Sequence, residues 1–531
     1  MNRALLPFAF AALSVSVAGC VKSLSNARDV AATGVAIFGD RALAVVDDAA
    51  NRLAVILPTV DGGIVRTYLP LNGDLVALEV SADRSTIFVL TSGVEKTRTT
   101  GAIPAELIVV TVEGATAKDA HYTLPSGLTE LSLDSEGVYV AVTTKFGSAS
   151  SSIVVNPSAI ALVNLKAPAS AQNPLLRSLE RNASAARGIT FSPELLTPTG
   201  LKRFAVGIGP RDVTLIDLVA AFADAAHPDF KIPLTSAGAT STLVPKLLRF
   251  DDGDPLSDKD ARVAFSLTGE SSLLTATLAK NEFPLPGESD LRAVVNLTAM
   301  GAPVSDFAFL STVEGRRIAA LTPTLWRAVL ADPATSLTTP VPLARPYNEL
   351  KILAGASTST VMLSHIQGNT SAVALWDVPK TEDQPYRAVA SLVDVRSLEQ
   401  VMPVPGTASK FMAVSAGGAE LVLFDTTTRA VSSVLTNRRA GISLSNDGQR
   451  AFIVPRDGDG TFASMNLTNL TSASFNAGAD LASLREMHRA DGSPVIAVIN
   501  GTPAQGLSLF DPLHPERLGK RWDDLLVEGI R

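Results

Sequence analysis

Short runs of β-branched and aliphatic residues, separated by clusters of Gly, Pro, Asp, Asn and Ser, recur along almost the whole chain. That alternation marks strands and turns, and long stretches of helical periodicity are nearly absent. One unit reads strand, tight polar turn, strand: LVALEVSADRSTIFVL over 75–90, LTELSLDSEGVYVAV over 128–142 and AGISLSNDGQRAFIV over 440–454. A looser copy is FAFLSTVEGRRIAAL at 307–321. In the first three, a Ser-x-Asp pair (Ser81/Asp83, Ser132/Asp134, Ser445/Asp447) lies between the apolar runs, where its side chains can bond nearby backbone N–H groups and close the turn.

A second strand type ends in Asp or Asn, as in TLIDL at 214–218, LVLFDT at 421–426 and LSLFDP at 507–512. One anchor per unit falls at Leu57, Thr111, Asn164, Asp217, Thr277, Asp332, Asp377, Asp425, Asn466 and Asp511, a mean spacing of about 50 residues. Four short strands at that period are the signature of a β-propeller, since a single blade cannot bury both its faces and must stack on neighbours around an axis. The units resemble blades of the YVTN and WD40-like propellers over roughly residues 34 to 515. The resemblance implies an all-β body. Rings usually hold four to eight blades, so the ten anchors are read as one ring of seven or eight blades with some units enlarged; two rings, or one unusually large ring of up to ten units, are the alternatives.

The chain can bury such a body. It is 46% hydrophobic and 18% charged, and its net charge of −7 builds no field that would draw in nucleic acid. Its single cysteine, Cys20, excludes internal disulfides and thiolate zinc sites, which need at least two sulfurs.

Cys20 follows an uncharged stretch, Ala4 to Ala18, that is too short to span a bilayer and matches a signal-peptide core preceded by Arg3. Val17-Ala18-Gly19-Cys20 resembles the lipobox of bacterial lipoproteins. The resemblance implies a signal peptide over 1–19, lipid on Cys20, and, with Val21 rather than Asp after the cysteine, an outer-membrane address. Residues 20–33 then read as a tether, 34–515 as the propeller and 516–531 as a helical tail carrying Trp522, Leu525, Leu526 and Ile530. A short helix is also expected after Asp217, over 218–226.

Catalytic motifs are scarce. The five histidines (His121, His227, His365, His488, His514) show no HExxH spacing, and no GxSxG elbow occurs. Ser364 and His365 are adjacent, which on a strand sends them to opposite faces. Gly207-Ile208-Gly209 opens like a dinucleotide fingerprint, but Asp212 stands where a third glycine should let pyrophosphate approach, so it reads as a turn. Gly519-Lys520-Arg521 lacks the hydroxyl of a phosphate loop.

The strongest metal candidate is FDDGDPLSDKD at 250–260. Asp252, Asp254, Asp258 and Asp260, with Asp251 beside them, offer hard oxygen ligands of the kind calcium takes. The EF-hand glycine and closing glutamate are replaced by Ser257 and Val263, which favours a solvated acidic loop and no cofactor. The expected function is therefore a membrane-anchored, non-catalytic binding or scaffold module for another envelope protein. The alternative is a propeller enzyme, lactonase-like or quinoprotein; for the latter, Trp326, Trp376 and Trp522 share no blade register.

Overall fold

The computed structural model describes residues 36–523 except for connecting segments, the longest being 94–102, 145–158, 179–187, 235–243, 252–260 and 380–388. Cys20, the tether and residues 524–531 lie outside the described residues.

Ten four-stranded antiparallel sheets follow one another along the chain, over 36–70, 75–124, 130–178, 188–233, 245–299, 307–342, 349–393, 398–435, 440–476 and 481–523. In every sheet the strands pair in chain order, so each is one blade made from one contiguous stretch. Blade 4 carries an extra hairpin, Leu195–Thr197 with Gly200–Lys202, between its first and second strands. First strands of successive blades approach one another and so face the axis. Fourth strands form the rim, as the largely exposed Thr338–Pro342 and Val431–Leu435 show.

The middle strands are mostly apolar because both their faces are covered. In blade 1, Leu43–Asp47 is buried along its length. The two-residue period sends Leu43 and Val45 into a cluster with Val495, Ala497 and Leu509 of blade 10, and Ala44 and Val46 into one with Val89 and Ile108 of blade 2. Every successive pair of blades shares such a cluster, and the cluster between blades 10 and 1 completes the cycle.

The protein is thus a β-propeller of ten blades in one closed cycle, not seven or eight. All ten sequence anchors mark the third strand of a separate blade; Asp332 and Asp511 fall just past its end. The recurring Asp or Asn there has a local cause. Its side chain accepts backbone N–H bonds from the turn that follows: Asp425 Oδ1 from Thr427 and Thr428, Asn466 Oδ1 from Thr468 and Asn469, Asp332 Oδ1 from Ala334 and Thr335. At Asp217 the same interaction, with the Ala220 N–H, caps the short helix Leu218–Phe222.

The Ser-x-Asp turns join first to second strands. Ser81 Oγ accepts from the Thr86 N–H and Ser445 Oγ from the Arg450 N–H. In blade 3 the register differs from the sequence reading by two residues. Ser132 lies inside a strand opposite Ala141, and Asp134 takes the turn position of Ser81, its Oδ2 accepting from the Val138 N–H.

The expected C-terminal helix is corrected where it is described: Lys520–Asp523 is the rim strand of blade 10, with Trp522 opposite Leu507. Pairing to the edge of the blade outweighs the helical spacing of the tail's apolar residues. No helix among the described residues is long and apolar enough to cross a membrane.

Candidate functional site

The turns joining first to second and third to fourth strands emerge on one face of the ring, here called the upper face, and the remaining connections on the lower. Since the first strand of blade 1, Ala36–Phe38, runs towards its upper-face turn, the chain enters the ring on the lower face, beside the axis. The rim strand Lys520–Asp523 also runs down to that face.

The last blade contributes no strand to the first, so the ring closes by face-to-face packing and a few polar contacts. The His488 N–H donates to Asp40 O at 2.7 Å, and its Nδ1 lies 2.8 Å from Asp40 Oδ1. Asn446 of blade 9 donates to the same Asp40 Oδ1 at 2.9 Å, and Lys520 Nζ donates to Asp61 O at 3.1 Å. Beside His488, Glu486 is buried and its Oε2 has no hydrogen-bond partner. Burial first, then the charge of Asp447, pushes the Glu486 carboxyl up from its ordinary value, against the opposing Asn446 N–H, His488 and Arg450.

Above this seam the upper face holds a cavity of about 340 Å³. Its walls come from Arg41 and 57–61 of blade 1, Gly114 and Ala115 of blade 2, and His488 and Ala490 of blade 10. Arg41 donates to Gly114 O across the wall. Asp61 is held below the usual carboxylate range, first by the Thr59 hydroxyl, then by the Gly63 N–H, with Lys520 adding its charge.

The upper face also carries apolar side chains at connection tips. Val60, Leu201, Val219, Phe283, Leu337 and Leu513 are each at least 59% exposed, Phe283 at 89%.

The sequence-predicted metal residues Asp252, Asp254, Asp258 and Asp260 lie outside the described residues. Asp251, their neighbour, is described and serves structure. It is fully buried, with Oδ1 2.8 Å from Arg316 Nε of blade 6 and Oδ2 3.5 Å from Arg262 NH1. Among the described residues no group of three His, Cys, Asp or Glu side chains is placed to hold a metal ion.

Other buried or half-buried charges also pair across blades: Arg203 with Asp134 and Glu136, Arg249 with Asp306, and Lys202 with Asp290, while Lys202 also pairs with Asp217 inside blade 4. His121 sits between Glu106 and Asp119 on its own blade; burial lowers its pKa, but the two carboxylates outweigh that and the net shift is upward. Ser364 Oγ donates to Glu349 rather than to the neighbouring His365. The Gly207–Gly209 run leads into a hairpin turn, closed by the Gly209 N–H on Asp212 O.

No family model and no curated protein matches the chain. Among solved structures it is similar to the crystal structure of the eukaryotic initiation factor, at 10% identity and a TM-score of 0.48, over 83% of this chain and 97% of that one. It is also similar to the WD40 domain of SCAP from fission yeast, at 12% identity and a TM-score of 0.38, over 80% of this chain and 89% of that one. A third is the dihydro-heme d1 dehydrogenase NirN, at 10% identity and a TM-score of 0.38, over 83% and 76%. The blade count rests on the strand pairing of this chain itself.

Proposed function

We propose that this protein is a non-catalytic binding module that uses the upper face of its ring to hold an envelope protein, and is tethered to the outer membrane through lipid on Cys20. The observation that carries the binding reading is the set of six large apolar side chains exposed at upper-face tips, positions that polar residues ordinarily fill. Topology supports the orientation: entry beside the axis on the lower face turns that face towards the anchor and leaves the upper face to a partner. A tether of some 15 residues reaches about 50 Å when fully extended, and confinement near the membrane raises the effective concentration of a partner held there.

The test is site-directed photo-crosslinking in membranes, with the crosslinker at Phe283 or Leu337 on the upper face and at Trp326 on the lower. The same protein species captured from both upper positions and absent from the lower one is expected. Capture from the lower face alone would overturn the orientation. Reproducible turnover of lactones, esters or alcohols, abolished by a single polar-to-alanine change near the axis, would overturn the non-catalytic reading.

A further inference from the structure

The seam cavity shares Val60 with the exposed tips but is otherwise a hollow walled by three blades and lined chiefly by carbon, within the 300–1,000 Å³ typical of small-molecule sites. We propose that it binds a small apolar carboxylate, with the charged end on Arg41 and the apolar part against Leu57, Val60, Ala115 and Ala490.

Three ionisable side chains, Arg41, Asp61 and His488, line the wall. Asp61 would repel such a ligand, but its Oδ1 is turned onto its own turn, accepting from Thr59 Oγ1 and the Gly63 N–H, and Lys520 sits over that turn, with Nζ bonded to Asp61 O. These two charges offset each other. His488 has its Nδ1 engaged with Asp40. Arg41 remains: among the described residues its bond is to a neutral carbonyl, Gly114 O, and no carboxylate pairs with it. A guanidinium fixed at one N–H keeps the rest of its planar fork for a carboxylate. The apolar wall supplies affinity for a chain or ring, and the guanidinium selects its charged end.

This site also bears on the ring. A ligand touching blades 1, 2 and 10 at once braces the one junction where the chain's two ends meet without a shared strand. Occupancy therefore raises the melting midpoint, by about 2–3 °C at a ligand concentration a hundred times Kd for a cooperative body of this size.

The experiment titrates octanoate and 1-octanol separately into the full chain, followed by thermal unfolding and calorimetry. Two variants, Arg41→Gln and Ala115→Leu, are run alongside. Both positions are near the surface, and Ala115→Leu keeps the guanidinium while filling the hollow. Octanoate is expected to bind at least tenfold more tightly than octanol and to lose that advantage in Arg41→Gln; both probes should weaken in Ala115→Leu. A leucine-terminated tetrapeptide with a free or an amidated C-terminus separates the sources of the ligand. Tight binding of the free-ended peptide alone assigns the site to the C-terminus of a polypeptide, and octanoate binding assigns it to a free acid. Equal binding of octanoate and octanol, an octanoate shift that survives in both variants, or no binding of either carboxylate probe at millimolar concentration would overturn the proposal. None of these results bears on the crosslinking pattern, so the two readings fail separately.

Discussion

Replacing Asp251 by Asn removes one charge from the junction of blades 5 and 6 while keeping the side chain's shape. Asp251 ends the innermost strand Pro245–Asp251 with no solvent exposure, directly opposite Arg262 in the sheet register. Its Oδ1 lies 2.8 and 2.7 Å from Nε and NH2 of Arg316, a side-on pair, while Oδ2 faces Arg262. The substitution leaves two guanidinium groups against a neutral amide in a buried junction. Breaking a buried ion pair from one side costs about 3–5 kcal/mol, because the remaining charge stays out of water.

At about 2.1 cal/mol/K per residue, a body of roughly 490 residues unfolding as one unit has an entropy of about 1 kcal/mol/K. The melting midpoint should therefore fall by about 3–5 °C. Calorimetry of the variant reads this directly, and Asp251→Asn combined with Arg316→Met should recover part of the loss, since an apolar chain carries no unpaired charge. A shift below about 1 °C, or a double variant no better than the single, would refute the reasoning. Millimolar calcium should leave the wild-type midpoint unchanged; a rise abolished by Asp252→Ala with Asp254→Ala would restore the acidic segment as a metal site.

Glu486 makes a pH prediction. Its folded pKa is raised, so its contribution to stability is present below the ordinary glutamate value and is lost as pH rises through the folded value. Glu486→Gln should therefore gain in melting temperature relative to wild type as pH is raised from 4 to 8; a constant difference, or one of opposite sign, would contradict the burial argument. Cys20→Ser should abolish labelling by radioactive palmitate and release the protein from membranes, whereas labelling that persists would remove the anchor from the account.

The strand pattern was legible because it has a direct physical cause. Middle strands covered on both faces are apolar along most of their length, as Leu43–Val46 are, and the Asp or Asn at the end of the third strand closes a turn, as Asp425 and Asn466 do. The short helix after Asp217 was legible because LVAAFADAA lacks β-branching after its Val; the Asp217 cap is seen only in the structure. Blade number was harder. Ten anchors were visible, but the usual range for such rings argued for fewer blades, and only the packing of blade 10 on blade 1 joins ten units into one cycle.

The turn in blade 3 misled in register because Asp134, at the turn position of Ser81 and Ser445, also accepts a backbone N–H of its turn, though from four residues on rather than five. The seam cavity left no trace in the sequence. Arg41, Gly114 and His488 lie far apart along the chain and meet only on closure, so no local spacing could announce them. Asp251 looked like one carboxylate of an acidic run, and only Arg316, 65 residues later, reveals its role.

The central claim, one closed ring of ten contiguous blades, is tested most directly by electron-microscopy class averages viewed down the ring axis. A single ring with ten spokes and a closed junction between the first and last blades is the expected result. Seven or eight spokes, two smaller rings side by side, or a persistent gap at the seam would contradict it.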